Sequence, residues 1–592
     1  MTRSAPAAPN SPMPNRPMLN RPMPNRRASS RTARRECASR DGMVLILVLV
    51  VVAALSLGAL AFSELMVNQH EAVHVAGRQT QARLLAESGL EAVKLLLAEQ
   101  PDVVASDGSW HESETWFYGV LIVDDGTADG RGRFSIVAPA GALQDGVRFG
   151  LECESGKLNL NTLLADDLDA TEARNRLMGL PNMTEDVADA ILDWLDEDDD
   201  ARDFGAEAPY YESLGSPYRP DNGPLRRIEE LLHVRGVTRE LLFGADANQN
   251  GQIDASETGQ LTGSDERGWA AYLTLHSREL PLQADGQPKI NVNQDDLETL
   301  HAELEEALGS EWATFIVGYR QQEELYSESD QEDNAENTEA GGRQTETPGG
   351  AEGPGGSEGP GGSEKPGEGR DNNGNDNDDD KDEDKDEDKD EVEHEDQITG
   401  ELDLTKQAAQ TLDSVLDLIG QSIKVQYLDR DKPVVVAPLF PDDPQAMAGY
   451  LHTLLDCLTT DDAGAAAGRV NIHLAPEAVL LCVPGIDADL ATQILARQPT
   501  DLAGVDTSQQ NLAWLLTEGL VTLDEAKELF PRLTVGGCVY RVQVVGFFDA
   551  GGPIVRLEAI LDASTTPARV LSLKDLSALG RGFEPETLGA AP

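Results

Sequence analysis

An α+β fold built on one long N-terminal helix is predicted by three features of this 592-residue sequence. An uncharged run from Met43 to Phe62 opens a stretch without proline that reaches Gln100. Strand-like alternation of apolar and polar residues follows it and returns near the C-terminus. Between these lie apolar-periodic segments joined by Gly or Pro turns, the mark of short paired helices. The predicted elements are a transmembrane and amphipathic stem, a small antiparallel sheet on its lower half, and helix-hairpin-helix units of sterile-alpha-like (SAM-like) type.

A helix over Met43–Phe62 is about 30 Å long, the thickness of a bilayer's hydrocarbon core. Nine arginines lie between Arg3 and Arg40 against Glu36 and Asp41, and the first Lys or Arg after the run is Arg78. That asymmetry places the N-terminus in the cytoplasm and the bulk of the chain across the membrane. A secretory signal peptide is the rival, since Ala59-Leu60-Ala61 resembles its cleavage site. The apolar run is longer than the usual signal core, however. Ala82, Leu84, Leu85, Leu90, Val93 and Leu97 continue the helical spacing until Pro101 closes it.

The net charge of −59 and pI near 4.3 argue against a nucleic-acid scaffold, because phosphate needs a neutralising basic surface. Cys37, Cys153, Cys457, Cys482 and Cys538 show no metal-ligand spacing. No nucleophile elbow, P-loop, zinc-protease helix or paired CxxC is present, and the histidines are scattered, so the chain does not read as an enzyme.

The strand-like runs are Trp116–Val123, Gly132–Val137 and Val147–Cys153, then Tyr540–Phe548 and Ile554–Asp562 around Gly551-Gly552. A signature recurs between them: GKLNLN (Gly156–Asn161), PKINVN (Pro288–Asn293) and GRVNIH (Gly468–His473), each followed by helix-forming sequence. Gly236 and Gly485 sit at the turns of two helix-hairpin-helix units. Such hairpins often hold DNA, but Glu477, Asp487 and Asp489 surround Pro484-Gly485, a field that repels phosphate. A membrane-tethered DNA-binding or uptake protein is therefore the alternative reading, and packing modules the preferred one. Residues 326–398 are Gly/Pro/Ser/Glu-rich and then strongly acidic, which predicts a disordered linker.

One segment has metal-ligand spacing. Asp246 to Glu257, DANQNGQIDASE, fits the twelve-position EF-hand loop, with Asp246, Asn248 and Asn250 at positions 1, 3 and 5 and Gly251 at 6. Gln252 offers its carbonyl at position 7, Asp254 stands at 9 and Glu257 at 12 as the bidentate ligand. Hard oxygens around a glycine turn predict one structural Ca2+; the ordinary alternative is an Asn/Asp-Gly surface turn. Thr258–Gly268 is a poor exiting helix, which favours a structural site over an opening sensor. Asp193, Asp196, Asp198, Asp199 and Asp200 form a second acidic cluster beside Glu207, with Asp193, Asp196 and Asp200 on one helical face; a solvated helix end is the preferred reading and a second site the other.

Arg40-Asp41-Gly42 followed by Met43 and an apolar run resembles the leader of type IV pilins and type II secretion pseudopilins. The resemblance implies cleavage after Gly42 by a prepilin peptidase and methylation of Met43. Most members carry a glutamate at the fifth mature position; here it is Leu47. Asp193-Trp194-Leu195-Asp196, Gly205-Ala206-Glu207, Tyr210-Tyr211, Pro217-Tyr218 and Ile228-Glu229-Glu230-Leu231 follow the pattern of the protein K family of minor pseudopilins. That family implies a pseudopilin-like sheet with a large α-domain inserted between its strands, and calcium in the α-domain.

It also implies an inner-membrane subunit with its bulk periplasmic, at the tip of a secretion pseudopilus, helping assembly start and protein export proceed. Its partners would be other minor pseudopilins, the secretion assembly platform, prepilin peptidase and membrane lipid, with no nucleic acid. The expected divisions are a leader (1–42), stem (43–100), first part of the sheet (101–155), inserted α-domain with the calcium loop (156–325), acidic linker (326–398), second helix-hairpin-helix region (399–534) and returning strands with tail (535–592).

Overall fold

The computed structural model describes residues 41–99, 109–140, 146–164, 170–254, 257, 267–322, 393–395, 398, 400–430, 432–461, 464–500, 502 and 505–590. Residues 1–40 of the leader, the acidic linker other than 393–395 and 398, and the segment 258–266 lie outside the described residues. Two compact units divide after His74. Helix α1 (Asp41–Leu96) supplies the described part of the first unit and opens the second.

In the first unit the large apolar side chains from Met43 to Phe62 are 48–71% exposed. Among the described residues this is the one helix long and apolar enough to cross a bilayer, with a mean hydropathy of 3.0 over its best window. Water is a costly medium for such a surface and lipid is not.

In the second unit α1 becomes amphipathic. Ala82, Leu85, Ala86, Leu90 and Val93 recur at three- and four-residue steps and are buried. They meet Phe134, Ile136, Val542, Val544 and Leu557 of a seven-stranded antiparallel sheet. Its strands are β1 (Val120–Val123), β2 (Gly132–Pro139), β3 (Val147–Phe149), β4 (Glu152–Cys153), β5 (Val539–Phe548), β6 (Val555–Asp562) and β7 (Arg569–Asp575). The order is β1-β2-β5-β6-β7, with β3 on β2 and β4 on β5. Strand alternation sends Val544 toward α1 and Val545 to the opposite face, where Phe583 and Leu588 of the C-terminal tail cover it.

Three differences from the sequence reading have local causes. Glu114–Phe117 form a helical turn with Phe117 fully buried, so the first strand begins only at Val120. The Val147–Cys153 run is split because the Gly150 and Leu151 N–H groups turn to the Ile136 and Trp110 carbonyls. Strand β7 was not expected; it is a sheet edge, largely exposed, and carries little alternation.

Between β4 and β5 the chain leaves the sheet and builds helices α2 (Ala170–Met178), α3 (Glu185–Leu195), α4 (Arg239–Phe243), α5 (Leu297–Leu308), α6 (Ser310–Arg320), α7 (Pro444–Cys457), α8 (Ala488–Leu495) and α9 (Leu523–Leu529), with shorter turns. The recurring Asn signature has one structural meaning in all three copies. Leu158–Asn159, Ile290–Asn291 and Val470–Asn471 each pair in parallel with a Leu-Thr dipeptide: Leu273–Thr274, Leu458–Thr459 and Leu533–Thr534. Asn159, Asn291 and Asn471 then accept the N–H two residues on, turning the chain out of the ladder. Asn161 and Asn293 each exchange two hydrogen bonds with one backbone position, Leu225 and Leu412.

Helix α1 lies so near the sheet at Gly546 that a Cβ there would strike the Ala82 carbonyl and lie 2.7 Å from the Ala86 amide nitrogen. Gly546→Val is expected to destabilise the protein by about 1–3 kcal/mol through forced separation of helix and sheet. Thermal unfolding followed by circular dichroism checks this, and an unchanged midpoint would count against the seam.

Candidate metal centre

The EF-hand-like loop follows α4. Thr238 caps that helix by accepting the Leu241 N–H, and Gly244, at φ 61°, ends it. The loop then closes on itself through its carboxylates. Asp246 accepts the Asn250 and Gly251 N–H groups at 3.1 and 2.8 Å, and Asn250 Oδ1 accepts the Gln252 N–H at 2.9 Å. Glu257 reaches back over the start, with one oxygen accepting Ala247 N–H at 2.9 Å and Asn248 N–H at 3.2 Å. Its other oxygen accepts the Asp254 N–H at 3.0 Å. Asp254 Oδ2 receives the side-chain amides of Asn248 and Asn250 at 2.7 and 3.2 Å.

Asp246, Asn248, Asn250, Asp254 and Glu257 are therefore brought together; Gln252 joins the ring through its N–H. Asn248 Oδ1 is buried without a hydrogen-bond partner. Burial, and then the Glu257 charge, push the Asp246 carboxyl above its ordinary pKa. Three carboxylates linked through the loop's own amides, with an orphan amide oxygen among them in a part-buried ring, fit a hard divalent cation, the chemistry Ca2+ supplies.

The second acidic group is arranged differently from its sequence reading. Helix α3 stops at Leu195, and Asp196 already has extended backbone, so Asp200 does not share a helical face with Asp193 and Asp196. Instead the chain folds back, and carboxylate oxygens of Asp196, Asp198 and Glu207 lie within 4.8 Å of one another. Glu207 is only 3% exposed, and neither of its oxygens has a well-formed hydrogen bond. Burial, followed by the charges of Asp193, Asp196 and Asp199, raises its carboxyl to about 7. Arg202 donates to Asp193 at 2.8 Å and to Asp196, which neutralises the inner end of the cluster. Asn222 Oδ1 is also buried and unpartnered, while its amide holds the Asp198 carbonyl at 2.6 Å. The sequence grouped these residues beside Glu207, but it carried the helix through Asp200 and so placed Asp193, Asp196 and Asp200 on one face. The Asp196–Asp198 spacing, with Gly205-Ala206-Glu207 after it, was the available signal.

Gly42 and Met43 lie in the first turn of α1.

The fold is mixed: the amphipathic segment Ala82–Val93 of α1 packs on an antiparallel sheet that carries a large helical insertion. Residues 156–243 match the family described as Type II secretion system (T2SS), protein K. Type II secretion system protein K of Aeromonas hydrophila is 26% identical over 221 residues, which is 35% of this chain. The chain spans 61% of that relative's length. The resemblance to the protein K family is thus borne out. Among solved structures, the crystal structure of the GspK-GspI-GspJ complex of the enterotoxigenic Escherichia coli type 2 secretion system covers 86% of this chain and 98% of its own, at a TM-score of 0.33 and 11% identity. The Asp196–Glu207 cluster lies inside the family-matched segment, and the Asp246–Glu257 loop begins just after it.

Calcium titration of the detergent-solubilised chain by calorimetry is the direct measurement. Glu257→Ala should remove one class of binding heat and Glu207→Gln a second; identical heats in all three proteins would rule out both sites. Chelation with EGTA should lower the unfolding midpoint, since ligand at a hundred times its Kd stabilises by about 2.7 kcal/mol.

Proposed function

We propose that this chain is a minor pseudopilin of a type II secretion system, seated at the tip of the pseudopilus, where it helps initiate assembly and export across the outer membrane. The observation that carries the reading is the division of labour along α1. Its upper apolar part is fully open from Met43 to Phe62, and its lower part is seated on the sheet by Leu85, Ala86, Leu90 and Val93. That is a stem ready for lipid, or for the stems of other minor pseudopilins. The tip position is supported by Leu47, which leaves no carboxylate in the apolar run to meet a neighbour's N-terminal amine. A helical insertion larger than the sheet that bears it also fits the end of a filament better than its repeating body.

In this reading the leader is cytoplasmic, the anchor lies in the inner membrane, and the bulk is periplasmic. Prepilin peptidase cuts after Gly42, Met43 is methylated, and the stem then joins the secretion assembly platform. Ca2+ is structural. The turns at Gly236 (φ 83°) and Gly485 (φ 89°) belong to helix-hairpin-helix units that serve as packing modules. The role is assembly, not catalysis, and nucleic acid is not a partner.

Processing tests the reading. With prepilin peptidase co-expressed, the wild-type chain should migrate as a form shortened by its 42-residue leader, whereas Gly42→Val should stay full length. Equal mobility of the two would sink the pseudopilin assignment. Deletion of the gene should abolish export of the system's cargo, with restoration by the wild-type chain and not by Gly42→Val.

A further inference from the structure

The EF-hand-like loop does not face solvent with its outer side; it is gripped by the sheet. Arg556 of β6, fully buried, donates to the Asn248 carbonyl at 3.0 Å and the Gln249 carbonyl at 2.7 Å. Gln543 of β5 donates to the same Gln249 carbonyl at 3.0 Å. Lys574 of β7 donates to the Gln249 side-chain oxygen at 2.9 Å and also pairs with Glu229. The Asn250 side-chain amide donates to the Gly582 carbonyl of the C-terminal tail at 2.6 Å. Three consecutive strands and the tail therefore converge on loop positions 3 to 5.

Gln249 is the centre of this grip. Its φ is +54°, a left-handed conformation that glycine adopts freely and a residue with a side chain adopts only when held. Both of its polar ends are held by the sheet, the carbonyl by Arg556 and Gln543 and the side-chain oxygen by Lys574. With the Asn248 and Gln249 carbonyls turned outward to Arg556, the Asn248 and Asn250 side chains reach Asp254 across the ring, and Asn248 Oδ1 is left buried without a partner. The strands thus set the shape of the ring that would receive the ion.

We infer that the loop is a cation-dependent latch between the inserted helical region and the sheet, with Gln249 as its handle and Arg556, Gln543 and Lys574 as its catch. Filling the ring orders the backbone at 248–250 and so tightens the strands that hold it. By reciprocity, docking of the sheet raises the affinity of the ring for its ion. Arg556 also places a buried positive charge near Asp246 and Asp254. The inference rests on Ca2+ binding at Asp246–Glu257, proposed above.

Hydrogen–deuterium exchange on the full chain in detergent, with and without Ca2+, tests it alongside calorimetry. In the wild type, Ca2+ should slow exchange in β6, β7 and residues 577–588 by about tenfold, beyond any change in the loop. Arg556→Gln should weaken Ca2+ binding about tenfold to a hundredfold, the usual effect of losing a residue that orients metal ligands, and should abolish the distant protection. Gln249→Gly guards against simple misfolding of that variant. It accepts the positive φ, keeps the ring ligands and removes only the handle for Lys574, so binding should persist while protection of β7 is lost. Ca2+ heat that Glu257→Ala removes, without slowed exchange in the strands of the wild type, overturns the latch and leaves the metal site standing. No such heat overturns both.

Discussion

A buried ion pair closes the insertion, and the rest of the architecture depends on it. Glu154, where the chain leaves the sheet, is wholly buried and accepts a hydrogen bond at 2.8 Å from Arg541 on the returning strand, 387 residues later. Lys157 lies beside it, and Thr274 of the first Asn/Leu-Thr ladder donates its hydroxyl to the same carboxylate. Burial alone would raise this carboxyl; Arg541 and then Lys157 hold it well below the usual range. Pulling the two ends of the insertion apart would strand a buried charge, at a cost of about 3–5 kcal/mol. Loop-closure entropy grows only slowly with length, so a sheet that can close one long loop can host a very large one.

The same logic of paired cost governs the metal centre. Carboxylates crowded into part-buried ground are tolerable only beside a compensating cation. At Asp193 and Asp196 part of that compensation is built in as Arg202. At Glu207 no comparable arginine bond exists among the described residues, and the carboxyl rises toward neutrality instead. The EF-hand-like loop stands between these cases: backbone N–H groups satisfy most of its oxygens, and Arg556 supplies charge from outside the ring. An ion in the EF-hand-like loop would act on folding as much as on the loop itself, because strands distant in sequence hold that loop.

Much of the fold was legible. The stem was readable because an uncharged run of bilayer length has few other meanings, and its boundary with the sheet followed from helical spacing through Leu85, Leu90 and Val93. The returning strands were readable at Tyr540–Phe548 because half-buried strands alternate. The failures share a cause: each turns on a neighbour far away in sequence. Phe117 sits in a helical turn because its side chain is needed under the sheet. Gly150 and Leu151 interrupt a strand because their N–H groups are taken by Ile136 and Trp110. The ligand positions of the loop were legible from spacing alone, whereas the grip on Gln249 was not, since Gln543, Arg556 and Lys574 carry no pattern that points to it.

By itself the sequence determined the elements and their chemistry: an apolar stem, alternating strands, an oxygen-rich loop with a glycine at its turn, and Asn signatures that end short strands. Periodicity and spacing encode these because they are local properties of the backbone. Tertiary structure alone decided which strand receives which: β5 between β2 and β6, and each Asn signature with its Leu-Thr partner. Those pairings follow from burial and from the need to satisfy every buried polar group, conditions that exist only after distant segments have met.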